Sequence, residues 1–123
     1  MIYTRVYKNE QAMKDFLSTL AELFKALGDP TRLNVLQLLT LNPERQLCVG
    51  AIARRLGVTQ PAVSQHLKVL KHLGLVKASR DGYHIHYSIN QDMLASYKTH
   101  IDELFTGVLT DQSPCPDWQH PAE

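Results

Sequence analysis

A chain of 123 residues with 44% apolar side chains can build one ordinary hydrophobic core and is too short for a three-layer enzyme. Its 13 Lys and Arg against 12 Asp and Glu leave a net charge of +1, a balance that taken alone argues against nucleic acid as a partner. The N-terminal MIYTRVYKNEQ lacks the apolar stretch of a signal peptide, no run approaches a membrane span, and two cysteines make no disulfide framework; together these point to a cytoplasmic protein with reduced thiols and no membrane partner.

In chain order, residues 1–9 carry no pattern and form an expected N-terminal arm, 10–109 a single domain, and 110–123 an irregular tail. From about Glu10 to Leu27, Met13, Phe16, Leu17, Leu20, Leu23, Phe24 and Leu27 recur at three- and four-residue steps, which predicts an amphipathic helix ended by Gly28. Asp29 is placed to cap a second helix, with Pro30 at its first position and Leu33, Leu36 and Leu39 to Leu41 as its core. Asn42-Pro43-Glu44 is a polar loop. Val49 to Leu56 makes a short third helix with Val49, Ile52 and Leu56 at core spacing, and Gly57-Val58-Thr59 forms a tight turn.

The fourth helix has the clearest ends. Thr59 is its N-cap, Pro61 lies in the first turn where a missing N–H costs nothing, and Val58 and Val63 flank the cap as a hydrophobic staple. Gly74 supplies a left-handed stop, so that Leu75 folds back onto Leu70. A 100° step puts Ala62, Val63, His66, Leu67, Val69, Leu70 and Leu73 on one side, and Gln60, Ser64, Gln65, Lys68, Lys71 and His72 on the other. Leu75 to Arg80 and Tyr83 to Ile89 then predict two strands joined by a tight hairpin at Asp81-Gly82. Gln91 to about Leu109 forms a last helix, with Met93 or Leu94, Tyr97, Ile101, Leu104, Phe105 and Val108 along one face. Helix, short glycine turn, helix and hairpin make a winged helix-turn-helix, mainly α with a small β-hairpin in the order α-α-α-α-β-β-α.

The charge map changes what the near-neutral total implies. Arg45, Arg54, Arg55, Lys68, Lys71, Lys77 and Arg80 lie in a stretch that holds no acid, so 45–80 carries +7 and the rest of the chain −6. An ordinary solvated helix face mixes both signs, whereas the polar face of the fourth helix carries amides, hydroxyls and cations without a carboxylate. Such a face suits a phosphate backbone and base edges.

The segments ALGDPTRLNVLQLL (Ala26–Leu39) and LCVGAIARRLGVTQPAVSQHLKVLKHLGLVKASRDGYHIHYSI (Leu47–Ile89), with the helices on either side, resemble the ArsR/SmtB family of bacterial transcriptional repressors over roughly residues 10 to 109. The resemblance implies a homodimer joined through the first and last helices, for which Phe16, Leu20, Leu23, Tyr97, Ile101, Leu104 and Phe105 are the candidate interface residues. Both helices are also strongly apolar for so small a domain, as an interface requires. Two reading helices about one DNA turn apart would then face a pseudo-palindromic double-stranded operator. By match to the family's recognition helix and by place on the polar face, Gln60, Ser64 and Gln65 are the candidate base readers. Thr59, Lys68 and Lys71 are expected to hold phosphates, and Arg80, Gly82 and Tyr83 to form the wing tip.

Family members generally release DNA when a metal, metalloid or oxidant reaches a sensing site, and the sites vary. Thiolate-type members carry a motif of the form ELCVCDL. Here the match, Gln46-Leu47-Cys48-Val49-Gly50-Ala51-Ile52, keeps only the first cysteine, and one thiolate cannot complete a soft-metal site. The family's other site, on the last helix, corresponds to Gln91, Met93, Leu104 and Gly107, which offer no suitable ligands, so no zinc is expected there. That leaves Cys48 with Cys115, joined by His120 and Asp117 of the tail, as a candidate for arsenite or another thiophilic metal, or for a regulatory disulfide or polysulfide link. A direct bridge needs Cα atoms within about 7 Å. The plain alternative is a small buried Cys48 and an incidental Cys115. His66 is expected to be a hydrogen-bonded core histidine, His84 and His86 share one face of the second wing strand, His100 is expected to face solvent, and Trp118 to anchor the tail.

An enzyme finds no support: there is no phosphate-cradling Gly loop, no Cys-x-x-Cys pair, and no nucleophile with an evident base. A winged helix used only for protein contacts and a regulator that binds DNA constitutively both remain open beside a repressor released through Cys48 and Cys115.

Overall fold

The computed structural model describes residues 10–43 and 46–110. Helix α1 spans Glu10–Leu27, α2 Pro30–Thr40, α3 Val49–Leu56, α4 Gln60–His72 and α5 Gln91–Thr110; strands β1, β2 and β3 cover Leu47–Cys48, Val76–Asp81 and His84–Ile89. The three strands form one antiparallel sheet in the order β1-β3-β2. This is the expected winged helix-turn-helix with one strand more than the sequence predicted.

The helix boundaries follow local chemistry. The Asp29 carboxylate accepts the Arg32 backbone N–H at 3.0 Å to start α2, and that bond, more than the nearby His66 and Arg32 charges, holds its carboxyl below the ordinary aspartate value. Arg32 then donates from Nη1 to the Ala26 carbonyl at 2.7 Å, tying the end of α1 to the start of α2. Helix α4 ends in a full Schellman motif: Leu75 N–H donates to the Leu70 carbonyl at 3.0 Å and Gly74 N–H to the Lys71 carbonyl at 2.9 Å, with Gly74 at φ +78°.

The core gathers Leu23, Val35, Leu39, Ile52, Val63, Leu67, Leu70 and Leu75, all but fully buried, with contributions from every helix and from Val76 and Ile89 of the sheet. Several expectations need correction. Leu33 and Leu41, expected in the core of α2, are exposed, because apolar residues are spread around that helix and only Val35, Leu36 and Leu39 are buried, with half-buried Leu38 packed beside them. Leu20, Leu23 and Tyr97, expected at a dimer interface, are buried within this one chain. Of that set Phe16, Ile101 and Leu104 are half-buried and pack against the core, and Phe105 is exposed.

In the wing, Asp81 pairs with His84, so the two-residue turn is Gly82-Tyr83 rather than Asp81-Gly82. Gly82 alone of the turn residues has positive φ (+64°), the pattern of a glycine-first II′ turn that matches the strand twist. Strand β1 has no sequence signal of its own. It exists because β3 offers an unpaired edge, on which Leu47 pairs with Tyr87 and Cys48 with His86.

Candidate nucleic-acid interface

Helix α3, the turn and α4 form one rigid unit. Gly57 ends α3 in the left-handed conformation (φ +68°), and Val58 N–H donates back to the Ala53 carbonyl at 3.2 Å. Thr59 Oγ1 accepts the Ala62 N–H at 3.3 Å to open α4. Val63, Leu67 and Leu70 anchor the inner face of α4 at no more than 1% exposure, so its opposite face is fixed in orientation.

That opposite face is the one the sequence assigned to DNA. Thr59, Gln60, Ser64, Gln65, Lys68 and Lys71 are all exposed, as are Arg80, Gly82 and Tyr83 at the wing. Two residues nearby were not among the DNA-contact candidates read from the sequence. A Cβ placed on Gly50 would lie 3.4 Å from Gln60 Nε2 and 3.6 Å from Arg54 Nη1, so the Gln60 amide and the Arg54 guanidinium share one surface at the α3–α4 crossing. The signal for Arg54 was the acid-free charge run. The contact with Gly50, the position where the family motif has its second cysteine, could come only from the fold.

The sensing candidates divide. Cys48 is half-buried at the N-cap of α3, and its side chain makes no capping hydrogen bond. Cys115 and His120, with Asp117 and Trp118, lie outside the described residues, as does Arg45. His66 departs from expectation: it is half-buried, and its Nδ1 is enclosed without a hydrogen-bond partner among the described residues. His100 stands edge-on to Phe16, with ring centroids 5.1 Å apart, rather than free in solvent. As they stand, no three His, Cys, Asp or Glu side chains among the described residues are gathered to hold a metal ion, and no described helix is long and apolar enough to cross a membrane.

Residues 29–78 match the model of the bacterial regulatory protein arsR family. An uncharacterized HTH-type transcriptional regulator of Methanocaldococcus jannaschii is 44% identical over 84 residues, covering 68% of this chain and 92% of the relative. The chain belongs to the ArsR family. Its relatives are transcriptional regulators, not enzymes, and binding DNA to regulate transcription is the family's activity. A cadmium resistance transcriptional regulatory protein CadC homolog of Staphylococcus aureus is 33% identical, covering 73% of this chain and 76% of the relative. Among solved structures, the homodimeric winged helix-turn-helix domain Mb0332 of Mycobacterium bovis superposes with a TM-score of 0.60 at 28% identity, covering 79% of this chain and 92% of that one.

Proposed function

We propose that this ArsR-family regulator is a cytoplasmic, homodimeric repressor that holds a pseudo-palindromic operator and lets go of it on a thiol-reactive signal received at Cys48 and Cys115. The observation that carries the DNA half is the outward face of α4. Gln60, Ser64, Gln65, Lys68 and Lys71 stand exposed on a helix whose other side is locked into the core, within a segment that has no acid. Gln60, Ser64 and Gln65 read base edges in the major groove, where paired donors and acceptors distinguish all four base pairs. Thr59, Lys68 and Lys71 hold phosphates, and Arg80, Gly82 and Tyr83 bring the wing tip to the neighbouring groove.

The second protomer covers the apolar surface that the single chain leaves open on its outer helices, with Leu17 and Phe24 of α1 and Phe105 of α5 each more than 40% exposed. The homodimeric state of the Mycobacterium bovis neighbour supports this arrangement. For the signal, the support is a half-buried thiol with no capping bond at the start of the helix-turn-helix, together with a relative named for cadmium resistance.

The test is fluorescence anisotropy on DNA from upstream of the gene, comparing reduced protein, protein given arsenite or a mild oxidant, and a Cys115→Ser variant. Release of the native protein but not of the variant is the expected result. Tight binding that ignores every treatment would support the constitutive regulator instead. Absence of any salt-dependent DNA binding would favour a winged helix that contacts only proteins.

A further inference from the structure

The outer helices enclose a cleft that neither DNA binding nor the thiol reading uses. Asp15, Phe16, Thr19 and Leu20 of α1 face Tyr97 and His100 of α5 across a cavity of about 230 Å3. Its walls are graded from floor to rim. Leu20 and Tyr97 are buried, Phe16 and His100 are half-buried, and Asp15 and Thr19 are exposed. At 100° per residue, Asp15 and Thr19 lie roughly 140–200° around α1 from Leu17 and Phe24, and His100 lies roughly 140° around α5 from Phe105. A second protomer seated on Leu17, Phe24 and Phe105 therefore leaves the cleft open.

We infer that this cleft binds a small amphipathic organic cation, an amine or quaternary ammonium carrying an alkyl or aryl body. The body lies over Leu20 and Tyr97, and the charged head sits between the Phe16 ring and the Asp15 carboxylate.

Shape and charge both favour that class. An apolar cavity of about 150 Å3 is enough to hold benzene, so the cleft has room for an arylamine with its ammonium group. The Phe16 and His100 rings meet edge-on at 72° with centroids 5.1 Å apart, and so form a corner of the cleft instead of closing it as a flat stack would. An aromatic wall attracts a cation through the negative face of its ring.

The rim carries negative charge with nothing to neutralise it. Asp15 Oδ1 accepts the Gln11 side-chain N–H at 3.0 Å, but among the described residues Asp15 has no ion pair, and no described Lys or Arg lines the cleft. The Thr19 hydroxyl donates to the Asp15 carbonyl at 2.9 Å, which leaves its oxygen able to accept an ammonium N–H. Glu103, on the same side of α5 as His100, has an enclosed Oε2 without a hydrogen-bond partner among the described residues. At the floor, burial and then the Glu22 charge raise the Tyr97 hydroxyl above its ordinary value, so a further carboxylate acts on the same space. That hydroxyl donates to the Leu73 carbonyl at 3.0 Å, and a seated ligand would rest on the residue that ties α5 to the end of α4.

The experiment is an NMR titration of the full-length reduced chain without DNA, following backbone amide shifts on addition of benzylammonium, and of benzyl alcohol and benzoate as neutral and anionic probes of similar size. Benzylammonium is expected to give saturable shifts centred on 12–20 and 97–103, with the other two binding at least fivefold more weakly. Asp15→Asn, which keeps an acceptor for Gln11, and Phe16→Leu are each expected to weaken benzylammonium binding about fivefold, while Glu10→Gln, an exposed acid of α1 outside the cleft, leaves it unchanged. Absence of saturable shifts overturns the site, as does equal affinity for benzyl alcohol or benzoate. Native affinity in a folded Asp15→Asn or Phe16→Leu chain also overturns it. An equal loss in Glu10→Gln would reduce the effect to overall charge, and shifts centred on Leu17, Phe24 and Phe105 would move the ligand to the apolar face; either result overturns the cleft as the binding site.

Discussion

Replacing Lys68 by alanine gives a direct measure of how α4 meets DNA. Lys68 is exposed, and among the described residues it has no ion-pair partner, so its loss removes one cation from the DNA-facing surface without leaving an unpaired charge behind. Each phosphate contact contributes about −0.9 to the slope of log K against log salt, and a symmetric dimer presents Lys68 twice, so the slope should flatten by about 1.8. Over a fourfold rise from about 50 to 200 mM salt, that change narrows the gap between native and variant affinities about twelvefold, against only about 3.5-fold if a single copy engages DNA. Anisotropy titrations at four or five salt concentrations, on operator and on random DNA, measure the slope. The same flattening is expected on both DNAs because phosphates carry no sequence. An unchanged slope would refute the phosphate role of Lys68, and a change near 0.9 would refute the two-fold geometry while keeping the contact.

Gln60→Ala is expected to cost about 1–3 kcal/mol on the operator and relax its sequence preference; equal losses on operator and random DNA would remove Gln60 from base reading. Gly74→Ala should destabilise the fold by about 1–3 kcal/mol in urea unfolding, since a side chain is strained at its φ of +78°. The added Cβ would also come within 3.0 Å of Met93 Cε, whereas Gly57→Ala meets nothing within 4 Å and should cost less; equal costs would argue against the Met93 contact. Burial, and secondarily the Glu22 charge, pushes the Tyr97 hydroxyl above its ordinary value near 10, so the stability it contributes is complete below that pH and is lost as pH rises through the raised value. Tyr97→Phe should therefore be less stable than native by about 0.5–1.5 kcal/mol at neutral pH, with the gap closing in alkaline unfolding experiments; a gap that stays constant to high pH would contradict the buried, protonated donor.

The parts of the fold visible in the sequence are those governed by chemistry within a few residues. Asp29 before Pro30, Thr59 before Pro61, and Gly74 before Leu75 each mark a helix end because the cap, the missing N–H or the left-handed residue acts locally. The exposed face of α4 was legible for the same reason: period and composition decide which residues share a side. What covers an apolar side is a different matter. Leu20, Leu23 and Tyr97 read as an interface because periodicity marks a face without naming its partner, and the partner turned out to be the chain's own core. Strand β1 and the shift of the wing turn to Gly82-Tyr83 depend on pairing, which two residues cannot signal alone. The proximity of Cys48 to His86 is of the same kind, a fact of register between segments distant in sequence.

The contacts at the end of α4 suggest how an event on the outer helices would reach the reading surface. The Tyr97 hydroxyl of α5 donates to the carbonyl of Leu73, the C-cap of α4, at 3.0 Å. One turn earlier on α5, Met93 packs over Gly74, and just before the helix the Asn90 N–H donates to the Leu75 carbonyl at 2.8 Å. Three successive residues that end the reading helix are thus held by α5 and its lead-in, two of them through backbone carbonyls that would be costly to leave unpaired. At its other end α4 is joined through the tight Gly57 turn to α3, whose cap is Cys48. Helix α4 is therefore braced from both sides. On the proposed function, a change at Cys48 would act on its N-terminal support, and a shift of α5 against a second protomer would act on its C-terminal one. Because side chains packed as tightly as Leu67 and Leu70 do not deform continuously, α4 would respond to either as a rigid rod, turning Gln60, Ser64 and Gln65 together relative to the groove. A signal at the cap need not touch a base-reading residue to abolish reading.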